Sequence, residues 1–234
     1  MILYAIPAPL GGAAEEALPA PAIRKIRSIR DFAVENAKTA RAFLGELGMP
    51  VRELDIRVIG EDRDLLAPLR AQRPLGLLSE AGCPAIADPG ASLVESAHRE
   101  GFRVVPLVGP SAIVLALMAS GLEGQRFAFC GYLPREEAQR KKRIRELEQR
   151  SKREQETQIF IETPYRNDVL LAALRQSCAP ATRVCVAADL TLPSETITTR
   201  RIADWPAAAD RPAPGGVPAA SGLKSAAGIP RKRC

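Results

Sequence analysis

At 234 residues, 46% of them hydrophobic, the chain can bury a real core as one large domain or two small ones, and a soluble globular protein is the default. No apolar run approaches the roughly 20 residues needed to span a bilayer, and the N-terminal MILYAIPAPLGG has no basic region ahead of its apolar stretch, so no membrane partner and a cytoplasmic location are expected. The five cysteines are odd in number and lack CxxC spacing, which indicates neither a disulfide framework nor a metal site, while a net charge of +6 permits an anionic partner.

In chain order, short apolar runs of β character alternate with segments of helical period, the pattern of an α/β protein. Strands are predicted at Ile2–Ile6, Phe32–Val34, Leu75–Ser79, Arg103–Leu107, Phe127–Cys130, Gln158–Ile161 and Arg183–Ala187. Helices are predicted at Ile23–Arg30, Thr39–Leu47, Asp62–Arg73, Ala91–Glu100, Ser111–Ser120, Arg135–Arg150 and Asn167–Arg175. The turn-rich GLEGQR at Gly121–Arg126 marks a domain junction, giving an N-terminal domain over 1–120 and a C-terminal domain over 121–205.

The stretch LGLLSEAGCPAIADPGAS, Leu75 to Ser92, is the most informative in the chain. A buried strand stops abruptly, and Gly82, Pro84, Pro89 and Gly90 then hold the backbone in turns that leave N–H and C=O groups available to a ligand. In an open α/β sheet, ligands dock at the carboxyl ends of strands. A plain connector is the alternative. A second such unit, VVPLVGPSA, joins a strand to a helix through Gly109–Pro110, with Ser111 in a natural N-cap position that structure alone can explain. The first strand runs into PAPLGG, not GxGxxG, and no GxxxxGK[ST], HExxH or GxSxG occurs, so a phosphate-rich cofactor, metal hydrolysis and serine hydrolysis are left without candidates. The only histidine, His98, sits on a predicted helix, where a surface role is the ordinary one.

LYAIPAPLG, LLSEAGCPAIADPG, VVPLVGPSA, GYLP and IETPYR occur in the order seen in the tetrapyrrole methylase-like superfamily, and the chain resembles most its branch of small-subunit ribosomal RNA ribose 2′-O-methyltransferases. The resemblance implies two α/β domains, distinct from the Rossmann methyltransferases, with S-adenosylmethionine (SAM) in the cleft between them and a homodimer. By the same resemblance the cofactor is expected against Pro9, Leu10, Ala81, Gly82, Cys83, Ile86, Asp88, Ser111 and Ala112, with Leu133, Glu162 and Asp189 contributed by the second domain. Glu80 and Cys83 stand where relatives usually carry Asp and Thr, and the acidic motif near the second strand reads VENAKTAR.

A hydroxyl acceptor must lose a proton, and Glu162 with Arg166 a turn later is the candidate pair; a local ion pair at a strand-to-helix junction is the alternative. The basic run from Arg135 to Glu154 can follow an RNA backbone, but interleaved glutamates favour a solvated helix face with i,i+4 pairs. At 4% aromatic residues, base stacking is not advertised. The leading expectation is thus a SAM-dependent O-methyltransferase acting on small-subunit ribosomal RNA. The alternatives are a tetrapyrrole or other small-molecule acceptor, or a SAM-binding, RNA-associated module without turnover. After Trp205 the chain becomes rich in Pro, Ala and Gly, so residues 206–234 are expected to form a disordered tail with no strand to complete the second sheet.

Overall fold

In the computed structural model, which describes residues 1–62, 64–206 and 225–229, with backbone alone at 164 and 225–229, the chain divides into two units, Met1–Ser111 and Ala112–Cys234. The first contains strands β1 (Ile2–Ile6), β2 (Asp31–Val34), β3 (Asp55–Val58), β4 (Leu75–Leu78) and β5 (Arg103–Pro106), and helices α1 (Ala14–Ala17), α2 (Ala20–Arg27), α3 (Ala37–Glu46), α4 (Ala67–Arg70) and α5 (Ala91–Arg99). Its sheet has the order β3-β2-β4-β1-β5 and every pairing is parallel.

Both faces of this sheet are covered, as parallel strands require. Tyr4 and Ile6, Phe32 and Val34, and Leu78 face one cluster, which Ile23 and Ile26 of α2 and Leu44 of α3 complete. The alternate residues Leu3, Ala33, Leu75 and Leu77 face the other, covered by Leu69 of α4 and by Leu93 and Ala97 of α5. Gly76 makes the first packing possible. A Cβ there would stand 2.7 Å from both Ile6 Cδ1 and Phe32 Cδ1, so the glycine is the space those side chains occupy.

The second unit comprises α6 (Ala112–Ser120), β6 (Phe127–Tyr132), α7 (Glu137–Glu154), β7 (Thr157–Glu162), α8 (Asn167–Ser177), β8 (Arg183–Ala188), β9 (Thr196–Arg201) and β10 (Ser225–Ile229). The sheet order is β6-β7-β10-β8-β9; only β6 and β7 run parallel, and the other pairings are antiparallel. Ile144 and Leu147 of α7, Leu170, Leu171 and Leu174 of α8, Phe160 of β7, Val184 of β8 and Trp205 form its main core.

Four expectations are corrected. The unit boundary falls after Ser111, not at Gly121–Arg126, because α6 packs on β8, β9 and β10. The helix predicted over Asp62–Arg73 shrinks to Ala67–Arg70, because Pro68 fits only at a helix start and Pro74 lies just beyond Arg73. β3 and β9, reading DIRV and TITTRR, are edge strands whose polar residues hide the strand signal. The expected absence of a strand after Trp205 is also overturned: Ser225–Ile229 pairs with β7 on one side and β8 on the other. There the partners supply the ladder, so a sequence of small residues suffices. The rest of the expected disordered tail, 207–224 and 230–234, with Arg231, Lys232, Arg233 and Cys234, lies outside the described residues.

Candidate functional site

Three loops leave the carboxyl ends of β1, β4 and β5 in the first unit, and backbone hydrogen bonds and close packing tie them together. Ala8 N donates to Gly82 O at 2.9 Å and Gly82 N donates to Ala8 O at 3.0 Å, an isolated antiparallel bridge between the β1 and β4 loops. The Cys83 thiol donates to Pro110 O at 3.4 Å, reaching the β5 loop. Gly109 closes the triangle, since a Cβ there would lie 2.3 Å from Pro7 Cγ. Burial raises the Cys83 pKa, which keeps the thiol protonated and able to donate.

Gly82 is held at φ +71°, and a Cβ on it would meet Leu10 Cδ2 at 3.3 Å and Pro110 O at 3.9 Å. Further along the same loop Ala85 and Ala87 occupy left-handed backbone at φ 65° and 66°, flanking the exposed Ile86. Left-handed backbone costs a non-glycine residue roughly 1–2 kcal/mol, and such strain persists where the surrounding structure enforces it. Ser79 is buried, its hydroxyl 3.5 Å from Ala81 O, and Asp88 lies just before Pro89. Ser111 ends this unit and Ala112 opens α6.

Glu35, within the motif VENAKTAR, has a placement that pattern reading missed. It follows β2 directly, and its Oε2 accepts from Glu80 N at 3.2 Å while Thr39 Oγ1 donates to Glu80 Oε1 at 3.3 Å. The start of the β4 loop is thereby pinned to the start of α3, which Asn36 caps by accepting from Lys38 N and Thr39 N. The acidic motif was visible in the sequence; its partner across the sheet was not.

The residues expected from the second domain have the following surroundings within their own unit. Leu133 is buried in the core of its unit. Asp189 follows β8 in left-handed backbone at φ 54°, its carbonyl accepting from Leu192 N. Glu162 is 2% exposed at the end of β7; its Oε1 accepts from Thr163 N at 2.9 Å and its Oε2 lies 3.2 Å from Arg166 Nη2. The contact to Arg166 is an ion pair by distance without hydrogen-bond alignment. Arg166 also donates to Pro134 O at 3.4 Å, so the pair clamps the β6–α7 loop to the β7–α8 turn. His98 is exposed on α5. Among the described residues no cluster of His, Cys, Asp and Glu is arranged to hold a metal, and no helix is long and apolar enough to cross a membrane.

The three loops, residues 7–13, 79–90 and 107–111, contain no lysine, arginine or histidine. What they offer is backbone donors and acceptors, small apolar walls and the carboxylates of Glu80 and Asp88. Such a set does not suit a polyphosphate. It does suit a ligand that is itself cationic at its reactive atom.

The family model of tetrapyrrole (corrin/porphyrin) methylases matches residues 13–206. The chain belongs to that family. This methylase-family chain is also similar to curated proteins named ribosomal RNA small subunit methyltransferase I: 35% identical over 88% of the chain to that of Mesorhizobium japonicum, and 31% over 87% to that of Vibrio cholerae. It spans 70% and 69% of the length of those two relatives, and 56% of the length of the Halalkalibacterium halodurans protein, to which it is 34% identical over 70% of its own chain. Among solved structures, its fold matches the methyltransferase CobJ (TM-score 0.61, 17% identity, 100% of this chain and 95% of that one). It also matches a uroporphyrin-III-C-methyltransferase from Thermus thermophilus (TM-score 0.56, 20% identity, 98% and 94%).

Proposed function

We propose that this methylase-family chain transfers a methyl group from SAM to a ribose hydroxyl of small-subunit ribosomal RNA. The observation that carries the reading is the cation-free triangle of loops at the carboxyl ends of β1, β4 and β5, backbone-tied through Ala8 and Gly82, in a chain whose relatives bear that name. SAM fits the residues present. Its sulfonium carries the electrophilic methyl group, and the walls that would receive it bring no competing positive charge. Pro9, Leu10, Ala81, Gly82, Cys83, Ile86, Asp88 and Ser111 belong to these loops, and Ala112 follows them.

Catalysis in such a displacement comes chiefly from alignment and exclusion of water. The rigid bridge between loops and the Glu35 brace on Glu80 serve alignment by holding the β4 loop in one conformation. Glu162 spends one oxygen on Thr163 and the other on Arg166. Its part in this reading is therefore to hold the β6–α7 and β7–α8 connections and not to take the acceptor's proton. A cytoplasmic homodimer is the expected assembly, and the exposed Val114 and Met118 on α6 are consistent with a covered face there.

The test is calorimetric titration with SAM followed by transfer of labelled methyl groups to ribosomal RNA from a strain lacking the gene. Binding with transfer to a small-subunit ribose supports the reading. Binding with transfer only to a tetrapyrrole would replace the acceptor, and absence of SAM binding would sink the proposal.

A further inference from the structure

Two of the chain's three tyrosines, Tyr132 and Tyr165, are exposed at 47% and 76%, and both lie at the same end of the second sheet. β6 and β7 are parallel, with Tyr132 in register beside Ile161, and Tyr165 sits in the turn just after Glu162. Tyr132 owes its exposure to an irregularity in the ladder between Phe129 and Tyr132, where Gly131 adopts φ +66°. Strict alternation would put Tyr132 on the core face with Cys130. The bulge shifts the alternation by one residue, so that Leu133 enters the core and Tyr132 leaves it. Arg140 and Arg166 both donate to Pro134 O at 3.4 Å, which locks the loop carrying Tyr132 to the turn carrying Tyr165.

The adjoining helix α7 sorts its cations into engaged and free. Arg140 is buried and occupied by the carbonyls of Pro134 and Arg135, while Lys141 pairs with Glu137 and Arg143 with Glu146. Arg135, Lys142 and Arg145 are exposed, and their side chains have no hydrogen-bond or ion-pair partner among the described residues. Lys142 and Arg145 lie on the helix face opposite the buried stripe of Arg140, Ile144, Leu147 and Ser151.

We infer that Tyr132 and Tyr165, with Arg135 three residues after Tyr132 and Lys142 and Arg145 on the outer face of the helix that follows, form a platform for single-stranded RNA, two bases stacking on the tyrosines while these cations meet phosphates. Every base has a π face, so stacking tolerates any sequence, and only cations without an intramolecular partner can meet phosphate without first giving one up. The inference rests on RNA being the methyl acceptor and adds where on the second unit the strand lies.

The experiment uses the full-length chain and a short fluorescent oligouridylate, with an RNA duplex of equal length as comparison. Tyr165→Ala and Tyr132→Ala are each expected to weaken single-strand binding roughly 5- to 150-fold, while Tyr165→Phe binds like wild type. The K142Q/R145Q variant is expected to reduce the slope of log affinity against log salt by about 0.7 for each phosphate no longer neutralised. Melting temperature and SAM affinity should be unchanged in all of them. Wild-type affinity in both alanine variants overturns the platform, as does an unchanged salt slope in K142Q/R145Q or a preference for the duplex. Methyl transfer to ribosomal RNA, followed in parallel, separates the two readings. Tyrosine-dependent binding without transfer keeps the platform and removes the enzymatic proposal; transfer with binding indifferent to the tyrosines does the reverse.

Discussion

The two units bury different things. In the first, all-parallel unit, β2 and β4 are buried along their whole length, and Asp31 and Ser79 are its only buried polar or charged residues among those described. In the second, Ser120, Arg140, Glu148, Ser151, Thr157, Gln158, Glu162 and Thr182 are all buried. One unit is held chiefly by side-chain packing and carries the loops of the candidate site; the other depends on buried polar groups that fix the course of its connections. A buried polar group stabilises only while its partners stay in place, so the second unit should be the more easily broken by single chemical changes.

Ending the chain after Trp205 should separate the two units most clearly. This removes the strand between β7 and β8 and leaves both edges unpaired. Loss of protection in β7 and β8 by hydrogen exchange is expected, while β1, β2 and β4 remain protected. Equal protection in both units would show that the second sheet closes without this strand.

Phe32→Ala and Glu148→Ala contrast the two modes of support at single positions. Phe32 is fully buried against Gly76, and its loss should cost about 3–5 kcal/mol in urea unfolding whatever the pH. Glu148 accepts from Ala179 N at 2.9 Å and from the Thr182 hydroxyl, and pairs with Lys152 at 3.2 Å. Removing it strands those donors and should cost about 2–3 kcal/mol at neutral pH.

Burial pushes the Glu148 pKa up, but the bonds from Thr182, Ala179 and Lys152 outweigh burial and leave it below the ordinary glutamate value. A depressed folded pKa means that the stabilisation is complete above the unfolded value near ~4.3 and drains away as pH falls through the folded one. Acidification should therefore erode the wild-type advantage over Glu148→Gln, with the loss confined to pH below about 5. A gap between the two proteins that stays constant down to pH 3 would contradict this linkage.

Smaller effects on stability, but larger ones on ligand, are expected at the loops. Gly82→Val forces a side chain onto left-handed backbone beside Leu10 and Pro110 and should abolish SAM binding in calorimetry, with a stability cost of about 1–2 kcal/mol. Arg166→Gln breaks the clamp between Glu162 and Pro134. It should lower methyl transfer to RNA while leaving SAM affinity nearly unaltered, and a matching loss of SAM affinity would assign the clamp to the cofactor instead.

Much of the first unit was legible in the sequence. β1, β2, β4 and β5 are short apolar runs, and the Gly/Pro loops that follow β4 and β5 announce themselves by composition, because turn backbone needs those residue types wherever it occurs. The candidate cofactor residues on those loops came from the family resemblance. The edge strands β3 and β9 escaped because exposed edges favour polar residues, and β10 escaped because a strand held on both sides by its neighbours needs little signal of its own.

Side-chain partnership is what the sequence could not carry. Arg140, Lys141 and Lys142 are consecutive and chemically alike in one dimension, yet the first is buried under the β6–α7 loop, the second is neutralised by Glu137 and the third has no partner among the described residues. Glu35 and Glu80 lie 45 positions apart and meet only because β2 and β4 are neighbours in the sheet. Local composition and period, which depend on each residue's own preferences, determined the elements and the loops. Which charges are spent, which carboxylates brace a loop and which tyrosines face water depend on groups brought together from distant parts of the chain, and only the tertiary structure decided them.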